Sequence, residues 1–165
     1  MNRFVRAPLA ALLLSFATPA LAQTAAPEIS NAWSRATAPG QPNGAVYLTI
    51  SVSAADQLIG ASTPIADSAE AHETVETGGV MQMRPVAALA LTPGAPASFA
   101  PGGMHIMLMG LHQPLQPGDS FALTLRFRDA APVTTMVAVG RAGASAAPTG
   151  MPNAMPGMSH HDMTP

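Results

Sequence analysis

The sequence predicts an all-β fold, a two-layer sandwich or barrel between about residues 31 and 141. Three observations favour this fold. Short segments rich in β-branched residues alternate with Gly and Pro turn signals. Residues 121–128 place apolar and polar side chains in strict alternation, as in a strand with one buried face. No segment shows a capped apolar pattern with a period of 3.6 residues, so we expect few helices.

The N-terminal segment, residues 1–22, is predicted to be a cleaved signal peptide. Arg3 and Arg6 precede a short apolar stretch, and Ala-Leu-Ala at residues 20–22 is the small-x-small pattern that precedes a cleavage site. The apolar stretch is shorter than the roughly 20 residues that span a bilayer. We therefore expect export, a mature N-terminus at Gln23 and no stable membrane insertion, with the protein located in the periplasm.

The mature β domain is predicted to cover residues 23–142. Residues 45–52 are β-rich and follow a Pro-Asn-Gly turn, and residues 133–139 form another strand with many β-branched side chains. We expect Met136, within the latter strand, to pack in the core.

Composition excludes several classes of protein. The net charge is −2, which provides no basic field for nucleic acid. Cysteine is absent, which excludes disulfides, thiolate metal sites and a cysteine nucleophile. No Ser-His-Asp order, phosphate loop or carboxylate pair indicates an enzyme. Eleven methionines in a chain without thiols instead suggest a soft metal.

Two histidines and two methionines have an informative spacing: His72, ten residues, Met83, twenty-one residues, His105, one residue, Met107. On a strand, His105 and Met107 project from the same face. His72 and Met83 flank a hairpin signal, Thr77-Gly78-Gly79. A turn at Thr77-Gly78, or a four-residue loop from Glu76 to Gly79, would place His72 directly opposite Met83. A turn at Gly78-Gly79 would instead place Thr74 opposite Met83 and His72 on a diagonal.

This ligand set favours Cu(I). Hard cations prefer oxygen, and Zn²⁺ normally takes His, Cys or carboxylate rather than thioether. Imidazole together with thioether suits Cu(I), while a blue-copper centre would need the missing thiolate.

The spacing resembles the copper-binding signature of the PCuAC family of periplasmic copper chaperones, apart from Thr74, where the family often has Met. The surrounding segments that share the resemblance are Ala32-Trp33-Ser34-Arg35-Ala36, Gly44-Ala45-Val46-Tyr47-Leu48, residues 79–85 (GVMQMRP) and residues 101–111 (PGGMHIMLMGL).

The resemblance, which covers roughly residues 28–140, implies a cupredoxin-like Greek-key β fold that binds Cu(I). It implies delivery of copper to the CuA centre of cytochrome c oxidase, in subunit II, alongside a Sco-type protein. A periplasmic copper buffer for resistance is the alternative function.

The C-terminal segment, residues 143–165, changes composition to Ala, Gly, Pro, Ser, Thr, Met and His, which predicts a flexible tail. It is similar to the Met/His-rich extension of some family members, and a mixed tail of this kind could hold Cu(I) or Cu(II). Its candidate ligands are Met151, Met155, Met158, His160, His161 and Met163.

Four further residues have structural interpretations. We expect Met81 and Met109 to pack or to support the site, although they share faces with the predicted ligands. We expect His112 to be a solvated loop residue and Trp33 to be a core or edge anchor.

Overall fold

The computed structural model describes residues 25–148, which form ten strands and no helix. None of this described part could therefore cross a bilayer as an apolar helix. The all-β prediction is confirmed. The strands are β1 Glu28–Arg35, β2 Asn43–Ser51, β3 Asp56–Ser62, β4 Ala66–Thr77, β5 Val80–Pro85, β6 Leu89–Leu91, β7 Ala97–Phe99, β8 His105–Leu111, β9 Ser120–Phe127 and β10 Val133–Gly140.

Seven of these strands close into a barrel in the order β4-β8-β2-β1-β10-β9-β3. A single residue pair, Ala61 with Ala69, joins β3 back to β4. Only β1 and β10 run parallel among the pairs described. Strand β5 lies outside the closed path, at the free edge beside β4. The hairpin of β4 and β5 therefore extends the sheet beyond the barrel.

The barrel core follows the period-two pattern of the strands. Phe121, Leu123, Leu125 and Phe127 of β9 are all buried, as the alternation predicts. They pack with buried aliphatic residues of β2, β8 and β10 in one cluster. Burial of each such side chain stabilises the fold by about 1.5–3 kcal/mol.

The prediction that Met136 packs in the core is wrong, because its side chain is 52% exposed. Strand β10 pairs with β9 so that Val137 and Val139 face the interior, where they are fully buried. Successive side chains of a strand point to opposite faces, so Met136 must face solvent.

Asp56, at the start of β3, is a buried carboxylate that ties two loops together. Its Oδ1 accepts hydrogen bonds from the backbone N–H of Gln57 (2.6 Å) and Asp129 (3.0 Å), and its Oδ2 accepts one from Ala130 (2.9 Å). Burial alone would raise the pKa of Asp56, but the backbone hydrogen bonds outweigh it and hold the pKa below the ordinary value of 3.8.

We predict that Asp56→Asn lowers the free energy of unfolding by about 2–3 kcal/mol at neutral pH, because an amide nitrogen cannot accept one of these bonds. The lowered pKa means that the carboxylate stabilises the fold fully above the unfolded-state pKa and loses this effect as the pH falls below it. Urea titrations at several pH values should therefore show the difference between wild type and variant shrinking below about pH 4. A difference that stays constant into strong acid would contradict this role.

Candidate metal centre

The hairpin turn sets the position of Met83. Gly78 (φ 61°) and Gly79 (φ 80°) both adopt positive φ, as a two-residue hairpin turn of the type I′ class requires. Thr77 consequently pairs with Val80, and Thr74 lies opposite Met83. The structure thus adopts the second of the two predicted registers, in which His72 and Met83 are diagonal neighbours on one face.

Pairing of β4 with β8 brings the two histidines together. His72 lies directly opposite His105, with ring centroids 6.1 Å apart, and Glu70 lies opposite Met107. Residues opposite each other in a sheet share a face. All four predicted ligands therefore lie on one outer face of three adjacent strands, β5, β4 and β8.

His105 is held with one ring nitrogen free. The side chain is only 5% exposed, and its Nδ1 lies 3.1 Å from the carbonyl oxygen of Gly103. Because a carbonyl only accepts hydrogen bonds, Nδ1 must be the donor, and Nε2 is the ring nitrogen that can offer a lone pair to a metal. The same Gly103 oxygen accepts the backbone N–H of Thr74 (3.3 Å), which links this arrangement to β4. Metal-ligating histidines commonly have a partner of this kind.

His72 is partly buried, with 15% of its side chain exposed, and its ring nitrogens have no hydrogen bonds. Both of its ring nitrogens are shielded from solvent and have no hydrogen-bond partner, although Nε2 lies 3.5 Å from a carboxylate oxygen of Glu70. An unsatisfied buried polar group costs about 1–3 kcal/mol. A metal bound to one of these nitrogens would remove that cost.

The methionines occupy the open side of the site. Met83, on the edge strand, is 61% exposed, whereas Met107 is half-buried. Both line, with His105, a shallow depression of about 510 Å³ that also borders Arg35 and Tyr47.

The rim of this depression is fixed by aromatic packing. Tyr47 packs on Trp33 with ring centroids 4.7 Å apart, and the Arg35 guanidinium lies 5.7 Å from the Tyr47 ring centroid. Trp33 itself is 5% exposed and packs on Tyr47 outside the main core cluster, which agrees with its predicted role as a core or edge anchor.

The donor set is unsuited to a hard metal. Within residues 25–148, no three His, Cys, Asp or Glu side chains cluster as a metal site. Two imidazoles and two thioethers on one face therefore form the candidate site in this part of the chain, and this set fits Cu(I).

Other candidate residues take separate positions. Met81 is 57% exposed and does not pack in the core, while Met109 is half-buried opposite Asn43 and Ser68. His112 is exposed, as expected, with its Nε2 3.1 Å from a carboxylate oxygen of Asp67. The six tail residues from Met151 to Met163 lie outside the described residues.

Comparison with known proteins places the chain in a family. Residues 28–139 match the family described as "Putative lipoprotein LpqE-like", which is the PCuAC-like family. This chain belongs to the PCuAC-like family. A relative from Leifsonia xyli subsp. xyli, described as "Putative lipoprotein Lxx21020", is 35% identical over 113 residues, which are 68% of this chain and 67% of the relative.

Solved PCuAC structures share the fold. The copper-bound PCuAC domain from PmoF2 is 26% identical, with a TM-score of 0.60, and the match covers 72% of this chain and 95% of that domain. The solution structure of CuI-DR1885 from Deinococcus radiodurans is 29% identical, with a TM-score of 0.55, over 74% of this chain and 80% of that protein. The prediction of a cupredoxin-like PCuAC fold is confirmed.

Proposed function

We propose that this PCuAC-like protein is an exported copper chaperone that binds one Cu(I) ion through His72, Met83, His105 and Met107. The observation that carries the proposal is the pair of facing imidazoles: the buried ring nitrogens of His72 have no hydrogen bonds, and the Nδ1 of His105 lies at the Gly103 carbonyl, which leaves Nε2 available to a metal. The copper-bound PmoF2 domain and CuI-DR1885 support copper as the metal.

The oxidation state follows from ligand chemistry. Thioethers are soft ligands that select Cu(I), and the site offers no thiolate with which to build a blue-copper electron-transfer centre. The copper is therefore cargo, and the proposal includes no catalytic step.

The exposure of Met83 favours a protein that releases its copper to a partner over one that stores it permanently. Met83 lies on an edge strand and faces an open depression, so an incoming ligand can reach the metal without opening the barrel. The histidines, by contrast, are held in the sheet. A rigid imidazole pair with accessible thioethers suits stepwise ligand exchange.

The acceptor that we propose is the CuA centre of cytochrome c oxidase subunit II, with a Sco-type protein as a second partner. The alternative is a copper buffer. The test mixes the Cu(I)-loaded protein with an apo CuA domain and compares the loading rate with that from a Cu(I)-chelator complex of equal affinity. A chaperone loads the domain faster than the chelator, whereas an equal or slower rate favours the buffer.

Location in the cell envelope is part of the proposal. The family and the Leifsonia relative are both described as lipoproteins, which supports an exported, envelope-associated protein. The predicted signal peptide, residues 1–22, implies release into the periplasm with Gln23 at the N-terminus.

The Met/His-rich tail is proposed as a second, weaker copper site that raises the local copper concentration near the barrel by tethering. Residues 143–148 contact the barrel, since the Arg35 Nε donates a hydrogen bond of 2.7 Å to the Ala144 carbonyl. A deletion should therefore begin at residue 149. We predict that removing residues 149–165 abolishes a second copper equivalent in a titration and leaves the affinity of the first unchanged. Unchanged stoichiometry would mean that the tail does not bind copper.

A further inference from the structure

Met81 is an exposed methionine that is not among the four predicted ligands. It lies two residues before Met83 on β5, and the two side chains are 57% and 61% exposed. Surface positions normally carry polar residues, and a side chain this exposed contributes little to packing. Exposure alone assigns no role, since Met136 is similarly exposed (52%), but Met81 differs in lying on the face that carries the predicted ligands.

The position of Met81 continues the line of ligands toward the hairpin tip. Met81 lies opposite Glu76, and Met83 lies opposite Thr74, so both methionines are on the face that carries His72 and His105. Residues two apart on a strand are separated by about 6.6 Å. Flexible thioether side chains can close much of that gap. The order from the buried to the exposed end is thus His105, His72, Met83, Met81.

Charge along this line favours a cation. Glu70 and Glu76 lie on the same face of β4. Glu70 is next to His72, and Glu76 is opposite Met81. Their hard carboxylates are poor ligands for Cu(I) but attract its positive charge. Between Met83 and Met81, a monovalent copper ion therefore meets soft donors and the nearby carboxylate of Glu76, whereas the positive Arg35 borders the depression on the Met83 side.

We propose that Met81 is a transfer ligand, which binds Cu(I) only while the ion leaves the four-ligand site. This inference rests on the proposed function. In the step, the bond from copper to the Met81 sulfur forms while a bond from copper to an imidazole nitrogen breaks, and Met83 remains bound. Copper stays Cu(I), both exchanging ligands are neutral, and no proton or electron moves. Acceptor ligands then replace the remaining imidazole and the thioether of Met107, and finally those of Met83 and Met81, so that each copper bond that breaks is matched by one that forms.

The test measures equilibrium and rate separately. Cu(I)-loaded protein, one ion per chain, is mixed with bathocuproine disulfonate, and the absorbance of the chelator complex gives both the affinity and the transfer rate. Met81→Leu keeps the apolar shape and removes the sulfur. We expect an affinity close to that of wild type and a transfer rate at least about tenfold lower, which corresponds to about 1.4 kcal/mol of lost barrier stabilisation.

Met136→Leu is the matched control, because Met136 is similarly exposed (52%) but lies on β10, away from the copper face. It should transfer copper at the wild-type rate. The same comparison in protein lacking residues 149–165 prevents tail thioethers from replacing Met81.

Each outcome decides a separate point. A wild-type rate for Met81→Leu overturns the transfer role, even though the wild-type protein binds Cu(I). An affinity loss in Met81→Leu equal to that in Met83→Leu also overturns it, since Met81 would then be a ligand of the resting site. Failure of the wild-type protein to bind Cu(I) would instead reject the proposed function.

Discussion

Replacement of His105 by Asn is expected to weaken Cu(I) binding by at least about 100-fold, more than the loss of a supporting residue around a metal ligand typically costs. The Asn amide N–H can reproduce the hydrogen bond from Nδ1 to the Gly103 carbonyl. What the variant lacks is the Nε2 lone pair. We expect the barrel to remain folded, with a loss of about 1–3 kcal/mol in the free energy of unfolding from the smaller buried side chain.

The matched control is His112→Asn. His112 is exposed, and its ring contacts Asp67 rather than the predicted ligands. A competition titration against a Cu(I) chelator should give the wild-type affinity for this control. Wild-type affinity in His105→Asn, with the variant shown to be folded by circular dichroism, would remove His105 from the site.

Met83→Leu should lower the Cu(I) affinity with an even smaller effect on the free energy of unfolding than His105→Asn. Met83 is 61% exposed at the edge of the sheet, so Leu in its place should change the free energy of unfolding by no more than about 0.5 kcal/mol. Loss of the thioether should lower the Cu(I) affinity by at least about 100-fold, because a ligand is removed. Thermal melts of the apoprotein and the chelator titration together measure both effects.

Met136→Leu again provides the comparison, as an exposed methionine on a distant strand. If Met83→Leu and Met136→Leu bind Cu(I) equally well, Met83 is a surface residue without a metal role. If Met83→Leu instead lowers the melting temperature strongly, Met83 stabilises the hairpin. A loss of Cu(I) affinity in this variant then does not identify Met83 as a ligand.

Local patterns in the sequence were sufficient where one face of a strand is buried. The alternation in β9 identified Phe121, Leu123, Leu125 and Phe127 as interior residues, and all are buried. In β10, residues 136–139 (MVAV) are all apolar, so composition alone did not indicate which face is inside. Pairing with β9 decides that, and it buries Val137 and Val139 instead of Met136.

The sequence did not predict which distant strands pair or in which register. The hairpin signal placed His72 and Met83 on one face in either register, but only the backbone at Gly78 and Gly79 selects the observed one. That His72 lies opposite His105 depends on β4 and β8 being neighbours, although more than thirty residues separate the two histidines in the sequence. The family signature indicated that the residues belong together without giving this register.

The residues that support the ligands were also missed. The Gly103 carbonyl orients the His105 ring and accepts a hydrogen bond from the backbone N–H of Thr74. Contacts of a backbone oxygen cannot be predicted from the pattern of side chains in the sequence. The Pro-Gly-Gly turn before His105 was the available signal, since a tight turn there brings a carbonyl back toward the strand that follows. A carboxylate oxygen of Glu70 also lies 3.5 Å from the His72 ring, and no motif in the sequence indicates this contact.

X-ray absorption of the protein with one Cu(I) per chain, in a variant lacking residues 149–165, tests the central claim most directly. The proposed site predicts two sulfur and two nitrogen scatterers around copper, from Met83, Met107, His72 and His105. Met83→Leu should remove one sulfur and keep both nitrogens. A copper shell of nitrogen and oxygen only, unchanged by Met83→Leu, would contradict the proposed site.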